Sequence, residues 1–192
     1  MTLIVAAQSP RGLALSADTL ALTRENGKWV RLPPMRKIFE VGHTMVGAAV
    51  EGVRNPTKFF IDFAQTVDPA DPPGKIAAAL VAQCISAGAR ASFLLVGYEE
   101  DQPRIFRARG KTALDLCSDG YICVGHLDES GSLPSGIKDL NALAAFTRGM
   151  VAREADRVRA TGMDPPLVAE PILTCVVQRN GWSPWKPDVL LP

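Results

Sequence analysis

Excess charge of either sign is scarce in this chain of 192 residues. It carries 21 Lys+Arg against 20 Asp+Glu, a formal net charge of +1. So even a balance gives no global attraction for nucleic acid or an anionic membrane. Long apolar runs are missing too. Stretches such as Ile76–Val81 are far too short to span a bilayer. The opening Met-Thr-Leu-Ile-Val-Ala-Ala lacks the basic region and extended apolar segment of an export signal, which points to the cytoplasm. Metal-binding residues are sparse. There are only two histidines, His43 and His126. The cysteines Cys84, Cys117, Cys123 and Cys175 are scattered, with no Cys-x-x-Cys pair. Neither a structural zinc site nor a disulfide framework is expected, and no cofactor is implied. Repeats, low-complexity tracts and linkers are also lacking, so residues 1–192 read as one domain.

What is present is material for a core: hydrophobic residues make up 47% of the chain. Apolar, β-prone stretches at Thr2–Ala7 and Leu13–Ala17 predict two strands, joined through the turn residues Gln8–Gly12. Thr23–Pro34 reads as a loop or irregular hairpin. Lys37–Val41 and Thr44–Val50 predict a second hairpin around Gly42-His43, which has the chemistry of a type II′ turn. Asn55-Pro56 reads as an N-cap followed by a first-turn proline, with Phe59, Phe60 and Phe63 behind it as core residues. A second helix is predicted over Lys75–Gly88. Strands return at Ser92–Gly97, Arg104–Ala108 and Tyr121–Val124. A long helix over Ile137–Ala160 places Leu140, Leu143, Thr147, Met150, Val151 and Val158 on one stripe. Its Arg148–Arg159 stretch reads as a solvated face. Ile172–Gln178 closes the pattern. Separate helix and strand blocks predict an α+β fold with helices layered on antiparallel sheets.

Register arithmetic brings some chemistry together. If the Gln8–Gly12 loop closes the first hairpin with Ala7 opposite Leu13, Thr2 faces Asp18. In the second hairpin Val41 faces Thr44, Ile38 faces Gly47 and Lys37 faces Ala48. Were the two hairpins neighbours, one patch would hold the chain start, an aspartate, a lysine and a glycine N–H. Methionine aminopeptidase removes Met1 readily before a residue as small as threonine. Thr2 would then carry a free α-amine, ordinarily with a pKa of about 7.7–8.0, beside its own hydroxyl. The amine can take the hydroxyl proton and activate the oxygen. The Lys37 ammonium would depress the amine pKa and stabilise negative charge, Asp18 would orient Lys37, and the Gly47 N–H would be an oxyanion donor. Each residue also has a plainer reading. Lys37 can be an edge-strand charge, and Gly47 can simply ease strand packing. His43 reads as a solvated turn residue, while His126 reads equally as structural or as part of a site. Ser118 and Ser132 lie in loops without an acid–His pair, which weakens a Ser-His-Asp reading. Trp182 and Trp185 read as anchors for the tail or contacts to a neighbouring subunit.

The same residues carry a family resemblance. Thr2-Leu-Ile-Val, Ser16-Ala-Asp18, Arg36-Lys37-Ile38 and Val46-Gly-Ala-Ala-Val-Glu-Gly52 resemble the proteasome β-subunit branch of the N-terminal-nucleophile hydrolases, including bacterial proteasome-like homologues. Weaker echoes are Arg104–Gly110, Val124-Gly125 and Pro171-Ile172. The resemblance implies a four-layer αββα sandwich and a homo-oligomeric ring or helical assembly. It implies Thr2 as nucleophile and base, Asp18 and Lys37 as its charged partners, and Gly47 as oxyanion donor. Peptides or unfolded proteins would be the substrates, with an ATPase as a possible partner. The chain departs from the family at several points. Its Asp18-to-Lys37 segment is longer, and His126 stands where a serine supports the amine. Thr161 and Asp164 are poor matches for the usual Asp and Ser late in the long helix. With no propeptide before Thr2, maturation by Met1 removal alone is expected. A catalytically silent assembly subunit, a transpeptidase and a small-molecule amidase are the alternatives.

Overall fold

The computed structural model describes residues 2–53, 55–109, 115–117, 120–127, 129–162 and 166–185. Met1, Ser118, Asp164 and Gly110, each considered above, lie outside them. The chain opens with β1 (Leu3–Ser9), β2 (Gly12–Asp18), β3 (Ala21–Glu25), β4 (Lys28–Leu32), β5 (Ile38–Val41) and β6 (Thr44–Glu51). Helices α1 (Pro56–Ala64) and α2 (Pro73–Ser86) follow, then β7 (Arg90–Glu99), β8 (Gln102–Arg109), β9 (Asp115–Cys117), β10 (Gly120–Gly125) and β11 (Ser130–Gly131). Helix α3 (Leu140–Ala160), β12 (Ile172–Gln178) and β13 (Gly181–Pro184) complete it. The architecture is α+β, and the pairings among the described residues are antiparallel.

One sheet has six strands in the order β11-β10-β1-β2-β12-β13, and another has five in the order β5-β6-β7-β8-β9. They face each other across Ile4 and Leu15 from the first and Ile38, Met45, Leu94 and Ile105 from the second. Phe60 and Phe63 of α1 and Ile76 and Leu80 of α2 pack on the far face of the five-stranded sheet, against Phe39, Phe93 and Leu95. On the six-stranded sheet, Leu143, Met150 and Val151 of α3 cover Leu3, Val5, Ala14 and Val176. Alternate residues of β1 therefore enter two different cores, and both sets are apolar. That is why β1 reads as an unbroken apolar run without the alternation of a half-exposed strand.

Helix α1 starts as expected. The Asn55 side chain accepts from the Lys58 N–H at 3.0 Å, with Pro56 in the first turn. Asp139 caps α3 in the same way, at 2.7 Å from the Ala142 N. The Thr23–Pro34 region forms a regular hairpin, β3–β4, turning at Asn26 (φ 50°) and Gly27 (φ 81°). Both central residues are left-handed, which a two-residue type I′ turn requires and Asn-Gly supplies at little cost. The expected register of the second hairpin holds, with Val41 opposite Thr44 and Ile38 opposite Gly47.

The first hairpin departs from expectation by one residue. Ser9 pairs with Gly12 and Ala7 with Ala14, so the loop is the two residues Pro10 and Arg11. Gln8 and Ser9 continue the strand because β10 and β2 both offer partners to that end of β1. Continuing this register places Leu3, rather than Thr2, across from Asp18.

Candidate active site

The first strand enters the six-stranded sheet between β10 and β2, and this placement positions Thr2. On one side the Leu3 N–H donates to Asp18 Oδ1 at 2.9 Å. On the other, the Thr2 carbonyl accepts from the His126 N–H at 2.7 Å. The one-residue register change explains the first contact, since the carboxylate at the end of β2 meets the backbone between Thr2 and Leu3. Gly125, at φ +108°, makes the second possible. A Cβ there would overlap the Thr2 carbonyl, and an L side chain rarely adopts that φ.

Asp18 is fully buried and spends its oxygens on three donors. Besides Leu3, Oδ2 accepts from the Leu20 N–H at 3.1 Å and from Lys37 Nζ at 3.0 Å. Lys37 arrives from the start of the β5–β6 hairpin in the opposing sheet, and its side chain is 7% exposed. The two hairpins are thus neighbours across the sheet–sheet interface. Burial raises the Asp18 carboxyl above its ordinary 3.8, against the opposing pull of the Lys37 charge and the three hydrogen bonds. Burial likewise lowers Lys37 below 10.5, against the pull of Asp18. An edge-strand lysine serving only to deter aggregation would be solvated; this one is not.

Gly47 has a structural reason to be glycine. A Cβ would stand 2.6 Å from Ile4 Cγ2 and 3.2 Å from Leu15 Cδ1, inside the sheet–sheet core. Ala48 donates its N–H to the Lys37 carbonyl at 2.9 Å. By strand alternation the Gly47 N–H then points the other way, toward β7, where Leu94 lies opposite.

Sequence reading missed a second buried carboxylate, which contacts the His126 ring. Arg148–Arg159 is not wholly a solvated face. Glu154 lies on the buried stripe of α3, with its side chain 5% exposed. It contacts His126 Nε2 at 2.8 Å and accepts from Arg157 Nη2 at 2.6 Å and Nε at 2.8 Å. The Arg157 hydrogen bond holds the Glu154 carboxyl below its usual range in spite of burial. The signal was available: position 154 falls four residues before Val158 on a stripe already read as buried, where a carboxylate needs a partner.

Other residues are accounted for structurally. Burial pushes the Cys84 thiol up to about 11 and the Cys175 thiol to about 12, so neither is poised as a thiolate. Trp185 Nε1 donates to Asn141 Oδ1 at 3.1 Å, and Trp182 packs against the sheet–sheet core. His43 and Ser132 are exposed. Thr161 donates its hydroxyl to the Val158 carbonyl at the end of α3. No helix among the described residues is long and apolar enough to cross a membrane.

Scans against family models and curated proteins find no match. Among solved structures, the chain is similar to an Anbu (Gly-1) mutant from Hyphomicrobium sp. strain MC1. The TM-score is 0.64 at 15% identity, over 97% of this chain and 86% of that one. The likeness is one of fold.

Proposed function

We propose that this chain is a proteasome-like N-terminal-nucleophile hydrolase that cleaves peptide or amide bonds with Thr2. The carrying observation is the buried Lys37–Asp18 pair, whose carboxylate also holds the Leu3 N–H directly behind Thr2. An ion pair taken out of water contributes little to stability for what its desolvation costs. Its position against the backbone of a threonine next to the chain start has a chemical use. The fold shared with the Anbu structure supports the reading, as do the apolar interfaces between helices and sheets and between the two sheets, which we read as a four-layer αββα sandwich forming one domain.

In this mechanism, removal of Met1 frees the Thr2 α-amine. The neutral amine takes the proton from Thr2 Oγ as that oxygen attacks the substrate carbonyl carbon. A tetrahedral oxyanion forms near the Lys37 ammonium. The C–N bond then breaks, and the departing amine takes the proton. Water hydrolyses the resulting ester, releases the acid and restores Thr2. Asp18 keeps Lys37 oriented throughout. Gly47 serves chiefly to let Ile4 and Leu15 close the interface beneath the site. Cytoplasmic assembly with further copies of itself belongs to the same reading.

The test is incubation of protein lacking Met1 with a threonine-directed covalent inhibitor, followed by peptide mapping. An adduct on Thr2 is expected, and Thr2→Ala abolishes it together with peptidase activity. No adduct where a proteasome control reacts, or undiminished cleavage by Thr2→Ala, overturns the reading.

A further inference from the structure

The backbone around Thr2 is held by two buried pairs, each with a carboxylate, and the proposed mechanism uses only one. The other is His126 with Glu154. It reaches Thr2 through the His126 N–H, which donates to the Thr2 carbonyl at 2.7 Å. The ring lies on the same residue as that contact, 16% exposed.

The contacts of the ring define its protonation pattern. At 2.8 Å from a carboxylate oxygen, Nε2 must carry a proton, because two acceptors at that separation would repel. Arg157 Nη2 also approaches Nε2, but at 3.5 Å it is too distant to compete. Glu154 is fixed in its turn by two hydrogen bonds from Arg157, which keep it ionised. With a proton held on Nε2, the ring in its neutral form presents its lone pair at Nδ1. That atom is buried and has no partner among the described residues. A buried acceptor without a donor is costly, on the order of 1–3 kcal/mol, and a group that supplies the donor removes that cost. A carboxylate that fixes one imidazole nitrogen so that the other can accept a proton is a recurring catalytic arrangement.

From this geometry we infer that His126, held by Glu154, is a positioning residue whose Nδ1 accepts a hydrogen bond from the α-amine of Thr2. This inference rests on the Thr2 nucleophile reading above. The bond fixes the rotation of the amine, so that its nitrogen lone pair faces Thr2 Oγ. Asp18 and Lys37 approach the same backbone from the other side, through Leu3. The two pairs therefore divide the work: one provides charge, the other orients the base.

The first measurement is the tautomer of His126 by ¹⁵N NMR. The chain has only two histidines, and the exposed His43 serves as an internal reference. The expected spectrum shows a proton on Nε2 and none on Nδ1 of His126. In Glu154→Gln, whose amide can donate to Nε2, that preference is lost. A proton found on Nδ1 of the wild-type ring overturns the inference. The second measurement is the rate of Thr2 adduct formation. His126→Leu slows it roughly tenfold to a hundredfold, the scale of losing a held geometry. His126→Asn, which offers an amide oxygen near the position of Nδ1, recovers a large part of the rate. A wild-type protein that reacts at Thr2 while His126→Leu reacts equally fast removes the positioning role alone. A wild-type protein that forms no adduct removes the nucleophile reading and this inference with it.

Discussion

Lys37 Nζ stands 3.0 Å from Asp18 Oδ2, with the lysine from one sheet and the aspartate from the other. Burial shifts both toward neutrality, Asp18 upward from 3.8 and Lys37 downward from 10.5. The sign of each effect on stability follows by linkage. A raised acid favours folding while protonated, and this contribution is lost as pH rises from 3.8 through its folded value. A lowered base binds fewer protons when folded, so its contribution grows as pH rises from its folded value toward 10.5. Between those windows the ionised pair is a burden on the fold. Asp18→Asn with Lys37→Met removes that burden but leaves the Leu3 or the Leu20 N–H facing an amide nitrogen, so at pH 7 it should unfold in urea within about 1–3 kcal/mol of wild type, and with no activity. Lys37→Met alone, which strands the carboxylate, should lose about 3–5 kcal/mol. A double variant less stable than this single one would mean that the pair is chiefly structural.

Activity should depend on pH as a bell. The acid limb reports the Thr2 α-amine, which must be neutral to act as a base. The ordinary value of such an amine is about 7.7–8.0, and in the proposed mechanism the Lys37 ammonium would lower it. The alkaline limb reports loss of that ammonium and enters below 10.5, because burial lowers Lys37. An arginine at position 37 stays charged throughout. Lys37→Arg should thus retain the acid limb and lose the alkaline one, at reduced kcat. Rate profiles of kcat/KM from pH 6 to 10.5 decide it; an alkaline limb unchanged in Lys37→Arg would show that another group titrates there.

Much of this site could be read before its structure, and the reason is local. The Gly42-His43 turn determines the pairing of Ile38 with Gly47 over a few residues, with no choice of loop length. The first hairpin offered a choice, since Gln8–Gly12 contains several turn formers. Gln8 pairs with both β10 and β2, and Ser9 with β2, which leaves the short loop and puts Leu3 rather than Thr2 across from Asp18. The partner of Gln8 in β10 is Gly120, over a hundred residues away, a contact that the residues of the hairpin do not disclose. Glu154 was hidden differently. A carboxylate among arginines on a helix suggests solvent, and only the docking of α3 brings it under His126. The facing of the two sheets, which joins Lys37 to Asp18, is likewise a property of layers rather than of any segment.

Gly47 separates packing from catalysis. Gly47→Ala would drive a methyl to 2.6 Å from Ile4 Cγ2 in a filled interface. Overpacking of this kind costs typically 1–3 kcal/mol. The expected result is a lower unfolding midpoint, with activity per folded molecule close to wild type at a temperature where both are folded. A fully stable Gly47→Ala protein with no activity would instead restore the oxyanion role to its N–H.

The third buried polar cluster makes the sharpest prediction about stability alone. Ser16 Oγ lies 2.8 Å from Thr147 Oγ1 and 2.9 Å from Thr174 Oγ1, joining β2, α3 and β12. All three residues are buried, and Thr147 also donates to the Ala144 carbonyl at 3.1 Å. A hydroxyl can donate only one proton. With Thr147 committed to its helix, Ser16 donates to Thr147 and accepts from Thr174. Ser16→Ala strands the Thr174 proton and removes the donor that Thr147 accepts, so it should cost about 1–3 kcal/mol. Thr174→Val removes only the outermost donor, with a methyl filling the space, and should cost less. Denaturant midpoints give the order, Ser16→Ala below Thr174→Val below wild type. The pH profile of cleavage should stay unchanged in both, because the three hydroxyls carry no charge and bond to one another and to the Ala144 carbonyl.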